Sequence, residues 1–217
     1  MSKTMAGPPK ISKTQTMLSK FFLKVTGWKV EGSVPNIPKF VAILAPHTSN
    51  WDLPFILAVM YVLSVRLNWF GKKEIFRWPV GGVFKWLGGI PIERSTRQNM
   101  VQHTAQTIQR HEQIIVGLSP EGTRSQTGYW KTGFYYIAHE AQVPIVFAYL
   151  DYARKVGGFG PVMETTGDIE ADMKIIREFY SGITAKYPHE AGEIAIRPPT
   201  ADHRPPTADH RPQTTDR

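Results

Sequence analysis

The chain has 217 residues, 41% hydrophobic and 12% aromatic, which suits one globular domain with a sizeable core and excludes a fully disordered chain. It contains no cysteine, so disulfides, thiolate metal sites and cysteine nucleophiles are excluded. The formal charge of +8 is concentrated at the start, because residues 1–30 contain six lysines and no acidic residue. A nucleic-acid-binding protein more often carries its basic residues on the folded domain. We therefore predict no nucleic-acid partner, and an anionic membrane surface instead.

The first predicted element is an amphipathic helix over residues 14–28, which follows a flexible basic segment at residues 1–13. Five residues define its apolar and basic faces: Met17, Phe21, Val25, Lys20 and Lys24. Such a helix suits either a membrane interface or a position packed on the domain, and the pattern leaves both open. No apolar run reaches the roughly 20 residues of a spanning helix, and no secretory signal is visible. We expect a cytoplasmic protein, peripheral at the inner face of the membrane.

Strand-like and helix-like segments alternate through the rest of the predicted domain, residues 14–196. The predicted strands are residues 40–45, 67–70, 90–93, 114–118, 145–150 and 194–196, with 162–165 weaker. The predicted helices are residues 53–65, 78–86, 96–111, 132–141 and 169–186. This alternation predicts an α/β fold with a mixed, largely parallel sheet flanked by helices. Functional residues in such folds collect beyond the carboxyl ends of the strands.

The last 21 residues, 197–217, form three heptads: RPPTADH, RPPTADH and RPQTTDR. Their proline and charge content opposes a packed core, and no heptad position is reliably apolar, as a coiled coil would need. We predict a disordered tail.

The segment PHTSNWD follows the first apolar strand and places His47 five positions before Asp52. A histidine can act as a general base near neutral pH when a carboxylate orients its ring. Taken alone, the segment favours a simpler interpretation, in which His47 belongs to a turn and Asp52 is an acid at a helix start. Ser49 or Asn50 could cap that helix.

Two further segments carry candidate binding residues. Ser-Pro-Glu-Gly-Thr-Arg-Ser follows the strand at residues 114–118, and its Thr123 and Arg124 can donate to a phosphate or carboxylate. Residues 71–95 interleave lysines and arginines with aromatic residues, and Arg94 lies near the end of this segment. Alone, each segment is as well explained by an ordinary turn or a solvated surface.

Together these segments resemble the glycerolipid acyltransferase family, which is typified by 1-acyl-glycerol-3-phosphate acyltransferases. Its His-x4-Asp motif is matched by His47 and Asp52, and its Gly-x4-Arg motif by Gly89 and Arg94. Its Glu-Gly-Thr-Arg-Ser motif is matched in full at residues 121–125, and its Val-Pro strand at residues 143–146. The resemblance covers roughly residues 38–152, and the joint match is far more specific than each part.

The resemblance implies a role for each matched residue. His47 would remove a proton from an acceptor hydroxyl and Asp52 would orient it, so that the hydroxyl oxygen attacks an acyl thioester directly. The acyl donor would be acyl-CoA or an acyl carrier protein, with no further cofactor and no metal. The implied head-group site for a lysolipid acceptor, typically 1-acyl-glycerol-3-phosphate, consists of Arg94, Glu121, Gly122, Thr123 and Arg124. Phospholipid biosynthesis is the process that the resemblance implies.

Several alternatives remain open at this stage. Pro46 stands where many relatives carry Asn, so the acceptor could be another lysolipid or a non-phosphorylated alcohol. Water activated by His47 would make the protein a thioester or ester hydrolase, and no Gly-x-Ser-x-Gly elbow indicates a serine nucleophile. A peripheral membrane-binding module without catalysis is the non-enzymatic alternative. Residues 128–141 could line an acyl tunnel or form a core helix.

Overall fold

The computed structural model describes residues 11–79, 81–92 and 97–197, without the side chains of residues 72 and 92–99. The predicted tail lies almost wholly outside these ranges, as do residues 1–10 of the predicted basic segment. Their predicted flexibility therefore stays a prediction.

Seven strands form two sheets in the described part of the chain. They are β1 (Lys29–Glu31), β2 (Lys39–Ala45), β3 (Trp69–Lys72), β4 (Gly89–Ile92), β5 (Ile114–Leu118), β6 (Ile145–Asp151) and β7 (Val156–Met163). Five of them form the main sheet in the order β1-β7-β6-β2-β5, and only the β6–β7 pair is antiparallel. Strands β3 and β4 form a small parallel pair. The predicted mixed, largely parallel sheet is confirmed.

Helices cover both faces of the main sheet. They are α1 (Lys13–Thr26), α2 (Asp52–Val62), α3 (Gly81–Trp86), α4 (Arg97–Arg110), α5 (Gly133–Ala141) and α6 (Ile169–Ser181). The central strand β2 is buried on both sides: Val41 and Ile43 face the core under α4, α5 and α6, while Phe40 and Ala42 face the core under α1 and α2. An apolar run without polar alternation is what a strand between two helical layers requires.

Several element boundaries differ from the sequence prediction. Residues 194–196 form only an isolated bridge from Ile196 to Trp130. The last helix ends at Ser181 rather than at residue 186. The glycine-rich β7 begins at Val156, well before the predicted residue 162. Its glycines hid it from the sequence pattern, but they allow close pairing with β1, which leaves no room for a Cβ at Gly158. The short edge strand β1 was missed, because three residues give too little periodicity to detect.

Helix α1 packs on the domain along one side only. Ser12 and Gln15 form a capping box at its start, and Gly27 ends it in the left-handed conformation. Leu23 is buried against α2, while the predicted apolar face remains exposed: Met17 is 64%, Phe21 67% and Val25 69% exposed. One side of α1 therefore packs on the domain and the other faces solvent.

Candidate active site

Three neighbouring strands deliver the site to one edge of the sheet. Strand β2 lies between β5 and β6 and runs parallel to both, so the carboxyl ends of all three meet. His47 follows β2, Glu121 follows β5, and Tyr152 follows β6 directly. Residues far apart in sequence are thereby brought into contact at the edge where α/β folds commonly bind ligands.

The His-x4-Asp segment folds into a tight turn that joins its two ionisable side chains. Nδ1 of His47 lies 2.9 Å from Oδ2 of Asp52. Ser49 closes the turn, because its hydroxyl accepts from the Trp51 N–H at 3.1 Å and its carbonyl from the Asp52 N–H at 3.3 Å. The prediction that Ser49 or Asn50 caps α2 is wrong, because Trp51 occupies the N-cap position. The contact with Asp52 holds the imidazole at Nδ1.

Asp52 is a buried carboxylate surrounded by donors. It is 1% exposed. Its Oδ2 accepts from the Thr48 N–H at 3.0 Å and the Ser49 N–H at 2.9 Å, and its Oδ1 from the Tyr152 hydroxyl at 2.7 Å. Burial alone raises the pKa of Asp52, but the hydrogen bonds from His47, Tyr152 and Ser49 together hold that pKa below its usual value. Asp52 is therefore ionised at neutral pH and can stabilise a positive charge on the His47 ring.

Glu121 supports the backbone of the same turn. Its Oε2 accepts a 2.6 Å hydrogen bond from the His47 N–H, and the residue is 3% exposed. Burial raises the pKa of the Glu121 carboxyl, while the hydrogen bond from His47 acts in the opposite direction. Its direct contact is with the backbone of the turn that contains His47, and a role in head-group binding stays a prediction.

Two cations lie at or beside the 121–125 loop. Gly122 has a φ of +65°, a conformation that favours glycine. The Lys131 side chain lies against the bare face of Gly122, where a Cβ would make it move. Arg124 is exposed and donates from its guanidinium to the Asn50 side-chain oxygen, which ties this loop to the turn after β2.

The remaining site predictions have different outcomes. Thr123 is exposed, and its hydroxyl accepts from the Ser125 N–H at 3.3 Å, so it shapes the loop. Arg94 lies outside the described residues, although Gly89 of the same motif begins β4. Among the described residues, no three His, Asp or Glu side chains are grouped to hold a metal ion.

Two residues near the site were missed by sequence reasoning. Tyr152 and Lys131 belong to none of the quoted motif matches, yet one contacts Asp52 and the other crosses Gly122. For Lys131 a signal existed, since it follows the Glu-Gly-Thr-Arg-Ser motif closely. For Tyr152 the contact spans 100 residues, and no local pattern reports such a contact.

A buried aspartate is paired with a histidine at a strand end, and exposed cations lie nearby. Such an arrangement suits a general base that acts on an anionic substrate. The model of the family described as Acyltransferase matches residues 29–150. This match spans more than half of the chain and contains both members of the pair. The chain belongs to the acyltransferase family.

Individual relatives agree with this assignment. The 1-acyl-sn-glycerol-3-phosphate acyltransferase of Haemophilus influenzae is 29% identical over 129 residues, which cover 55% of this chain and 52% of the relative. The human 1-acyl-sn-glycerol-3-phosphate acyltransferase alpha is 32% identical over 111 residues, 48% of this chain and 38% of the relative. The chain thus matches about half or less of the length of these relatives.

The fold also has a solved counterpart. The crystal structure of the 1-acyl-sn-glycerophosphate (LPA) acyltransferase PlsC from Thermotoga maritima superposes with a TM-score of 0.54. It is 20% identical, and the similarity covers 80% of this chain and 81% of that one. At this identity the comparison supports the fold.

Proposed function

We propose that the protein transfers a fatty acyl group from an acyl thioester to the hydroxyl of 1-acyl-glycerol-3-phosphate, in phospholipid biosynthesis. The observation that carries this proposal is the 2.9 Å contact between the His47 ring and the buried Asp52 carboxylate. It provides a general base, because Nδ1 of His47 is held by Asp52 and no hydrogen bond from Nε2 is found among the described residues. Family membership supplies the reaction class, and the names of the relatives suggest the acceptor.

The reaction proceeds by direct attack, without an acyl-enzyme. Nε2 of His47 takes the proton of the acceptor hydroxyl as its oxygen bonds to the thioester carbonyl carbon. Asp52 stabilises the imidazolium that forms. The tetrahedral intermediate then collapses, the carbon–sulfur bond breaks, and the proton on Nε2 passes to the leaving thiolate. The products are an ester and a free thiol, and His47 returns to its neutral form.

The acceptor phosphate binds at the 121–125 loop. Arg124 offers planar donors that suit a phosphate oxygen pair, and the exposed Lys131 ammonium lies beside Gly122. Arg94 completes the anion site in this proposal, on the strength of its match to the family motif. Among the described residues, no carboxylate forms an ion pair with Arg124 or Lys131, so both cations are available to a ligand.

The protein works at the inner face of a membrane, where its lysolipid acceptor resides. The exposed apolar face of α1 and the neighbouring Lys20 and Lys24 support this location, because apolar contact and attraction to anionic lipids add together. None of the helices in the described ranges is both long and apolar enough to cross a membrane.

A lysolipid panel tests the function. Purified protein is given labelled acyl-CoA or acyl carrier protein with phosphorylated and neutral acceptors in vesicles, and products are identified by mass. We expect ester formation with 1-acyl-glycerol-3-phosphate, and His47→Ala should lower it roughly 10²–10⁴-fold, the contribution typical of a general base. His103→Ala, at an exposed position on α4, is the matched control. Thioester release without ester product would favour a hydrolase, and full activity of His47→Ala would contradict the mechanism.

A further inference from the structure

Tyr152 contacts the His47–Asp52 pair from a position beyond the residues that the family model matches. Its hydroxyl donates to Oδ1 of Asp52 at 2.7 Å, across 100 residues of sequence. The family model matches residues 29–150, so Tyr152 lies two residues beyond that match. Nothing in the motif pattern assigns it a role.

The surroundings of Tyr152 fix its ring before any substrate binds. Its ring centroid lies 4.9 Å from that of Trp28 at an interplanar angle of 85°, and 6.0 Å from that of Phe55 at 79°. Its backbone N–H donates to the Thr184 carbonyl at 2.9 Å. Edge-to-face packing on two rings holds the hydroxyl at one place, directly beyond the end of β6.

The two oxygens of Asp52 have different partners. Oδ2 has His47, Thr48 and Ser49 as neighbours, whereas the Tyr152 hydroxyl is the hydrogen-bond donor to Oδ1 in the described part of the chain. Donors on both oxygens prevent the carboxylate from rotating. The Tyr152 bond also takes up part of the negative charge that would otherwise face the imidazole.

We propose that Tyr152 is a positioning residue of the acyl-transfer site, which holds the Asp52 carboxylate in the orientation that aligns His47. This inference rests on the proposed function, and it adds a residue from beyond the four motifs. Tyr152 acts through Asp52 and touches no reacting atom.

Other ionisable groups surround the pair from each neighbouring element. Glu121 follows β5 and accepts from the His47 N–H, Arg124 is held at Asn50, and Tyr187, after α6, acts electrostatically on Tyr152. Nζ of Lys186, in the segment after α6, lies 5.8 Å from the Tyr152 ring centroid. Conversion of Tyr152 to phenylalanine leaves all of these groups in place, so a change in pH profile reports the lost hydroxyl.

The variant Tyr152→Phe tests the proposal, because it retains the ring and removes only the hydroxyl. We expect kcat to fall about tenfold with little change in KM, as expected for the loss of a hydrogen bond to a charged group. The acid limb of kcat/KM should move to higher pH, because the hydrogen bond from Tyr152 helps to keep the pKa of Asp52 low.

Tyr135→Phe is the matched control. The Tyr135 hydroxyl donates to the buried Asp172 at 2.8 Å, so the same chemical change is made beneath the other helical layer. We expect it to lower the melting temperature while leaving kcat and the acid limb unchanged. A general effect of lost buried hydrogen bonds would alter both variants alike, and that result would overturn the proposal.

The NMR signals of the His47 ring at a fixed pH provide a readout without turnover, with His47→Ala used to assign them. In Tyr152→Phe these signals should move from their wild-type positions, whereas in Tyr135→Phe they should stay in place. Unchanged ring signals in Tyr152→Phe overturn the proposal, even if kcat falls. If the wild type transfers no acyl group, the proposed function fails, and these signals still decide whether Tyr152 acts on the pair.

Discussion

At the scale of single residues, the site depends on one buried charge with many donors. Four groups approach the Asp52 carboxylate within 3.0 Å, and together they outweigh the effect of burial on its pKa. An isolated buried carboxylate would take up a proton and lose its ability to orient an imidazolium. The backbone N–H groups of Thr48 and Ser49 therefore contribute to the chemistry although their side chains belong to the turn.

Arg124 should determine the preference for a phosphorylated acceptor. We expect Arg124→Ala to raise the KM for 1-acyl-glycerol-3-phosphate about tenfold to a hundredfold, because a charge-assisted hydrogen bond to phosphate is lost. The KM for the acyl thioester and the turnover of a neutral monoacylglycerol should hardly change. Steady-state kinetics with both acceptors measure the difference.

Arg110→Ala is the control for this comparison, since Arg110 is an exposed arginine at the end of α4. Its removal should leave both acceptors unaffected. An equal loss of Arg124→Ala activity with phosphorylated and neutral acceptors would count against the phosphate role.

Glu121 should make the protein less stable as the pH rises. Burial raises the pKa of its carboxyl in the folded state. The unfolded chain therefore ionises first as the pH rises from about 4.5, and stability present below that pH is lost as the pH rises through the folded-state pKa. Glu121→Gln keeps an oxygen acceptor for the His47 N–H and removes the buried charge.

Urea unfolding between pH 4.5 and 8 measures this effect. The wild type should lose stability relative to Glu121→Gln over that range, so the difference between the two curves should grow with pH. Asp52 acts with the opposite sign, because its lowered pKa contributes stability above pH about 4 that is lost on acidification through the folded-state value. Parallel curves would show that the Glu121 charge is not destabilising.

At the scale of elements, α1 divides its residues between the domain and the solvent. Leu23 is buried, Phe22 packs on Phe55 with ring centroids 5.1 Å apart, and the Thr16 hydroxyl donates to the Tyr61 carbonyl at 3.2 Å. These contacts fix one side of the helix against α2. The exposed apolar residues on the other side, flanked by lysines, are consequently held in a defined direction, as the proposed contact with lipid requires.

The exposed face of α1 should contribute to membrane binding without contributing to folding. We expect the double substitution Phe21→Ala and Val25→Ala to weaken binding to anionic vesicles about tenfold or more, because two apolar side chains no longer enter the interface. The melting temperature should stay nearly constant, since both residues are exposed. Vesicle sedimentation at two salt concentrations measures the affinity and the part due to lysine charge.

The control is Ile175→Ala, which removes a half-exposed apolar side chain from α6. It should bind vesicles like the wild type. If this control and the α1 variant lose affinity equally, the surface of α1 has no special role in membrane contact.

Helix α5 shows how a motif neighbour can belong to the core. Its sequence left open an acyl tunnel or a packed helix. Phe134, Tyr135 and Ile137 are all buried in the core beneath α4, α5 and α6. Helix α5 is therefore a helix packed in the core.

At the scale of the whole molecule, the site exists because three parallel strands are neighbours. Strand β2 separates β5 from β6, and helices on both faces leave only the strand ends open. Tyr180 reinforces this arrangement from α6, where its hydroxyl lies 3.0 Å from the Ile43 carbonyl and 3.1 Å from that of Ala148. The β2 and β6 backbones are thus joined beneath the site.

The sequence determined the fold class, the family and the six principal helices, with most boundaries within a few residues, because long periodic segments and motif order are local signals. The largest differences are at the helix predicted for residues 78–86, which begins only at Gly81, and at the last helix, which ends at Ser181 rather than at residue 186. Edge strand β1 and the start of β7 were not predicted, since their positions follow from backbone pairing rather than from periodicity.

Tertiary structure alone decided which residues act together. The sequence made His47 and Asp52 a candidate pair, but it could not place Glu121 under the His47 backbone or Tyr152 on the second oxygen of Asp52. These contacts join chain segments 74 and 100 residues apart, and they exist because adjacent parallel strands end at the same edge of the sheet. Residue types and local order are encoded along the chain, whereas the burial and charge of a site depend on which strands become neighbours.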